Sequence, residues 1–86
     1  MLLSETDGRL YIGLTPDLRK RIDKHERGFV TATKHRRPLQ LIHYEAYLEL
    51  SDAKRREKYL KGGKGRSELK IQLENCFAKV KYKFRF

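Results

Sequence analysis

The chain has 86 residues, room for one domain with one thin core, and a formal net charge of +10 from 21 Lys and Arg against 11 Asp and Glu. With 38% hydrophobic residues it is too apolar for a disordered chain, and its basic residues fall in clusters that suit a polyanion such as nucleic acid. No apolar run approaches the ~20 residues that span a bilayer, and the lone Cys76 excludes an intramolecular disulfide and a Cys/His zinc set, so the chain reads as cytoplasmic.

In chain order, Thr6-Asp7-Gly8 is the first landmark, an Asp-Gly hairpin signal between Leu2-Leu3 and Arg9–Leu14. Its second arm is complete and its first is a stub of about four residues, short for a strand. Thr15 is placed to cap the next helix, with Pro16 at its first position and Asp17 at the positive end of its dipole. This helix runs to about Arg27 and stops at Gly28. A basic loop, Thr31 to Pro38, contains Lys34, His35, Arg36 and Arg37. Leu39 to Leu48 reads as one long strand, with Ile42, Tyr44, Ala46 and Leu48 on one face and a mixed set on the other. Ser51 caps a second helix that reaches about Lys61 and ends at Gly62-Gly63, and a third helix spans about Ser67 to Lys79. The tail from Val80 to Phe86 alternates apolar and basic residues, the pattern of an edge strand or a frayed end.

The informative residues break the amphipathic pattern. At about 100° per residue, Leu18, Ile22 and His25 share one stripe of the first helix and Arg21 borders it. Leu18 and Ile22 must face the sheet, so His25 faces it too. In the second helix Ala53, Glu57 and Leu60 share a face, which turns a carboxylate inward. A buried carboxylate is costly unless paired or bound to a cation. Glu57 has two structural alternatives, a salt bridge to Arg21 or a reach along its own helix toward Lys61. An inward Glu, an inward His, a bordering Arg and the strand residue Tyr11 nevertheless match the needs of phosphodiester hydrolysis. Glu57 offers a hard oxygen to Mg²⁺ or Mn²⁺. Arg21 offsets charge on the phosphoryl oxygens, and His25 and Tyr11 are candidates to move protons.

Leu10-Tyr11-Ile12-Gly13, then Asp17-Leu18-x-x-Arg21-x-x-x-His25, then Arg36-Arg37-Pro38, Glu45, and Arg56-Glu57-Lys58-x-Leu60-Lys61 together resemble the GIY-YIG nuclease superfamily. The nearest likeness is to its small stand-alone bacterial members, similar to the nuclease module of the excision-repair incision subunit. The resemblance implies an α+β fold, a three-stranded antiparallel sheet flanked by three helices in the order β-β-α-β-α-α. It also implies a single-metal site, with Glu57 as metal ligand, Arg21 on the phosphate, Tyr11 as the second-motif tyrosine and His25 as a hydrogen-bonding or proton-transfer group. Gly13 would let the strand end pass close to the site. Met1-Leu2-Leu3-Ser4 corresponds to the end of the family's first strand, and the first-motif tyrosine has no counterpart in this sequence.

Two functions follow as expectations. One is a Mg²⁺- or Mn²⁺-dependent endonuclease acting on DNA, in repair or processing, with residues 1–86 forming one domain. The other is a non-catalytic nucleic-acid-binding module of the same fold. In either, Lys34, His35, Arg36, Arg37, Lys61, Lys64 and Arg66 are the candidate contacts to the nucleic acid.

Overall fold

The computed structural model describes residues 1–80. Among them the elements are β1 (Leu2–Ser4), β2 (Leu10–Tyr11), α1 (Leu18–Glu26), β3 (Leu39–Leu41), α2 (Leu50–Leu60), α3 (Gly63–Gln72) and α4 (Glu74–Lys79). The strands form one antiparallel sheet in the order β2-β1-β3. The architecture is α+β as the residues imply, with four helices among the described residues. No described helix is long and apolar enough to cross a membrane.

The expected hairpin forms through a loop longer than a two-residue turn. Ser4 N donates to Arg9 O at 3.0 Å and Gly8 N to Ser4 O at 2.9 Å, so the chain reverses over residues 5–8. Gly8 takes φ 69°, the left-handed conformation that favours glycine. The Ser4 side chain organises this loop from a fully buried position. Its hydroxyl donates to Arg36 O at 2.6 Å and accepts from Thr6 N and Asp7 N, each at 3.2 Å.

Side-chain alternation gives the sheet two buried faces. Leu3, Leu10 and Ile12 pack with Leu60 of α2, Leu69 of α3 and Phe77 of α4 in the hydrophobic core. Leu2, Tyr11 and Leu41 instead share a cavity wall with Leu18, Ile22 and His25 of α1.

Several boundaries differ from the sequence expectation. β3 is paired only over Leu39–Leu41, rather than to Leu48, because its ladder partner β1 is 3 residues long. Pairing continues by Ile42 N to Met1 O at 3.1 Å and Met1 N to His43 O at 2.6 Å, and then stops. Tyr44 and Leu48, read as sharing one strand face, are both exposed, Leu48 at 99%. Asp17, not Thr15, is the N-cap of α1, accepting from Lys20 N at 3.1 Å. Thr15 forms a local turn instead, its hydroxyl accepting from Asp17 N at 3.1 Å. α2 starts at Leu50 with Glu49 as N-cap and no side-chain cap bond, so Ser51 already lies inside the helix.

The expected third helix is two helices, and it begins earlier, at Gly63. Gly65 explains the early start. A Cβ there would sit 2.1 Å from Tyr59 O and 2.7 Å from Leu60 Cα, so only glycine allows α3 to leave α2 at such close range. The break falls at Leu73, whose ψ of 27° is non-helical, and it lets both Leu69 and Phe77 enter the core. Apart from Val80, the proposed C-terminal edge strand lies outside the described residues.

Candidate active site

Strand β2 carries Tyr11 and helix α1 carries Arg21 and His25. α1 packs against β3, and the three side chains line one cavity of about 40 Å³, which Gly13, Met1 and Leu41 also line. At ~10–15 Å³ per water, that space admits about three or four water-sized groups.

The contacts within the set are direct. Arg21 Nη2 donates to the Tyr11 hydroxyl at 2.9 Å. The Tyr11 and His25 rings meet at a centroid distance of 4.8 Å with a 60° tilt. Gly13 is the contact that admits this arrangement, since a Cβ there would lie 2.8 Å from Tyr11 Cε1. His25 is 1% exposed, and its Nδ1 lies 2.6 Å from Thr33 Oγ1, itself fully buried. Two buried nitrogens, Arg21 Nε and His25 Nε2, have no hydrogen-bond partner among the described residues. Burial, the adjacent Arg21 charge and the Met1 ammonium together pull the His25 pKa below its ordinary value, which favours the neutral ring at pH 7.

Glu57 stands apart from this group. It lies on α2, half-buried rather than turned inward as its helical position had implied, and it is not among the side chains lining the cavity. Its carboxylate pairs along the helix with Lys61 Nζ at 3.6 Å, the second of the two structural alternatives. Among the described residues, no three or more His, Cys, Asp or Glu side chains gather into a set suited to a metal ion.

The basic candidates divide by engagement. Arg36 is half-buried, with Nε 2.8 Å from Asp7 Oδ2. Arg37 donates to Lys34 O at 3.0 Å and Glu26 O at 3.1 Å, its guanidinium lying over Gly28. Lys61 holds Glu57. Lys34, His35 and Lys64 are exposed and Arg66 is half-buried.

Two structural roles were not visible in the sequence. Thr33 comes from a loop, where no periodicity could mark its approach to His25. Glu45 is the centre of a polar cluster: Arg56 donates to it at 3.0 and 3.3 Å, the Tyr47 hydroxyl donates at 2.7 Å, and His43 Nε2 lies 3.0 Å away. Partial burial works to raise its pKa, but the bonds from Arg56, Tyr47 and His43 outweigh it and hold Glu45 at about 2. Arg56 also reaches Glu68 and Gln72 at 3.4 Å, which ties the 42–49 segment to α2 and α3.

The model of the GIY-YIG catalytic domain matches residues 1–72. A UPF0213 protein of Staphylococcus saprophyticus is 41% identical over 66 residues, which cover 76% of this chain and 80% of that protein. A UPF0213 protein of Staphylococcus aureus strain N315 is 42% identical over 57 residues, covering 65% of this chain and 70% of that protein. No solved structure matches the chain.

Proposed function

This chain belongs to the GIY-YIG catalytic domain family, whose activity is of the nuclease type, and from that premise we propose that it is a metal-dependent endonuclease that hydrolyses DNA phosphodiester bonds in repair or processing. Residues 1–86 act in this reading as one domain. The observation that carries it is the pair of buried, unpartnered nitrogens, Arg21 Nε and His25 Nε2, on two side chains that line one cavity with Tyr11. Buried polar groups are nearly always satisfied, so two orphans on side chains of one cavity call for a polar ligand. A phosphodiester supplies acceptor oxygens for a guanidinium N–H.

The residues divide the work as follows. Arg21 holds the phosphoryl group through its free donors and opposes the charge that develops there. The Arg21 guanidinium donates to the Tyr11 hydroxyl at 2.9 Å and so orients it at the cavity. Tyr11 then takes the proton of the attacking water. His25 assists at the same cavity by hydrogen bonding or proton transfer. Nucleases of this family generally depend on a divalent metal. Here Glu57 would hold Mg²⁺ or Mn²⁺, releasing Lys61 to do so, and the bound ion would neutralise phosphate charge and stabilise the leaving oxygen. Lys34, His35, Arg36, Arg37, Lys61, Lys64 and Arg66 are the proposed backbone contacts.

The test is nicking of supercoiled plasmid in Mg²⁺ or Mn²⁺. Wild type converts the plasmid to open circles, and Glu57→Ala and Arg21→Ala abolish conversion while retaining DNA binding. Undiminished nicking by Glu57→Ala would remove Glu57 from the site. The Lys61–Glu57 pair, away from the cavity lining, favours a second reading, a nucleic-acid-binding module without catalysis. Binding with no nicking in either metal would establish that one.

A further inference from the structure

Resting on the nuclease reading, we infer that Thr33 is a positioning residue whose hydroxyl fixes the tautomer of His25, making His25 a hydrogen-bond donor to a phosphoryl oxygen rather than the general base. A neutral imidazole carries one N–H, and the proton sits on whichever nitrogen is not accepting. The 2.6 Å bond between Thr33 Oγ1 and His25 Nδ1 admits two assignments. In one, Thr33 donates to Nδ1 and the ring proton sits on Nε2. In the other, Nδ1–H donates to Thr33 and Nε2 is a bare lone pair.

Burial separates them. Thr33 is 0% exposed, and the one partner shown for its hydroxyl among the described residues is His25 Nδ1. If Nδ1 carried the proton, the Thr33 O–H would be a buried donor with no acceptor. An unfilled hydroxyl lone pair is tolerated far better than a stranded O–H donor. Each assignment leaves one donor of the pair without a partner among the described residues. The second puts it on Thr33, which is not among the lining residues, whereas the first puts it on Nε2 of His25, which lines the cavity with Arg21 and Tyr11 and so can meet a ligand. Such a donor complements a phosphoryl oxygen and has no lone pair with which to deprotonate water, so the base role falls to Tyr11.

Thr33 is itself held in place. Its amide donates to Val30 O at 3.1 Å and its carbonyl accepts from Arg36 N at 2.8 Å, which sets the hydroxyl before any substrate arrives. A ring locked in one tautomer by a neighbouring side chain is the logic that orients histidines at metal and catalytic sites.

Long-range ¹H–¹⁵N NMR of the His25 ring at neutral pH tests this without substrate. The expected wild-type spectrum shows protonated Nε2 and an accepting Nδ1. Thr33→Val, similar in shape and without the hydroxyl, should give a mixture of tautomers, and Thr33→Ser should restore the wild-type pattern. In plasmid nicking Thr33→Val should lower kcat about 10-fold with KM little changed, while Thr33→Ser stays close to wild type. Protonated Nδ1 in wild type, or an unaltered tautomer in folded Thr33→Val, would overturn the inference. Should Thr33→Val not fold, the wild-type spectrum alone decides. Absence of nicking in wild type would count against the nuclease reading, whereas the ring spectrum would still decide the tautomer.

Discussion

Arg21 braces Tyr11 with one arm of its guanidinium, Nη2 to the hydroxyl at 2.9 Å, while its Nε lies buried without a partner among the described residues. One side chain thus serves a neighbour and keeps a donor in reserve, which a planar fork does and an ammonium does not. Arg21→Lys retains the charge and loses this double engagement. Nicking should fall ~100-fold or more, as when a positioned charge donor is removed. DNA affinity by fluorescence anisotropy should change little, since one phosphate contact is a small share of the salt-dependent total. Equal losses in affinity and nicking would point instead to a general binding role for Arg21.

Gly13 governs the same tyrosine from below. An alanine Cβ would stand 2.8 Å from Tyr11 Cε1 and 3.1 Å from its hydroxyl oxygen, so the ring must swing away. Because the strain is relieved by moving a half-exposed ring, Gly13→Ala should leave the thermal midpoint within a few degrees of wild type. Nicking should drop ~10-fold or more because the Arg21–Tyr11 bond is lost. A fully active Gly13→Ala protein would show that the ring position is unimportant.

At Gly65 the obstacle is backbone, not side chain. With Tyr59 O at 2.1 Å and Leu60 Cα at 2.7 Å from the added methyl, α2 and α3 must separate. Overpacking of this kind costs roughly 1–3 kcal/mol, and Gly65→Ala should lie near the top of that range in urea unfolding. An unchanged midpoint would mean the α2–α3 junction yields more readily than its close approach implies.

Acid should weaken the protein through Glu45. Its carboxyl titrates at about 2 in the folded chain against 4.5 ordinarily, so folding favours the charged form. The stabilisation is therefore fully present above pH ~5 and disappears as the pH falls toward 2. A shift of this size corresponds to something on the order of 3 kcal/mol. Chemical denaturation from pH 6 to pH 2.5 should show the loss, and Glu45→Gln should flatten much of it while starting from lower stability. A variant with the wild-type pH slope would assign the acid sensitivity to other carboxylates.

Much of the site could be read from periodicity alone. The 3.6-residue period placed His25 inward with Arg21 beside it, and both stand there, whereas Glu57, read as inward, is only half-buried and turned to Lys61. What escaped the sequence depends on partners distant in the chain. The end of β3 is set by the length of β1, which no local pattern within 39–48 encodes. Gly62-Gly63 read as a stop for α2 and is equally the start of α3, because the decisive glycine is Gly65 and its role is proximity. Thr33 meets His25 from a loop whose composition resembles any polar connection. The separation of Glu57 from the cavity lining was equally out of reach, since it depends on how α2 is set against the sheet.

That setting of α2 has a further consequence. Over its first two turns the only half-buried apolar side chain is Ala53, and Leu60 enters the core only at the far end. The near end is moored by Arg56 to Glu45, Glu68 and Gln72. Ionic strength then acts on the protein twice: dissolved salt competes for the phosphates of the nucleic acid and also loosens, to a lesser degree, the moorings of the helix bearing Glu57. Turnover should decline with salt more steeply than occupancy does.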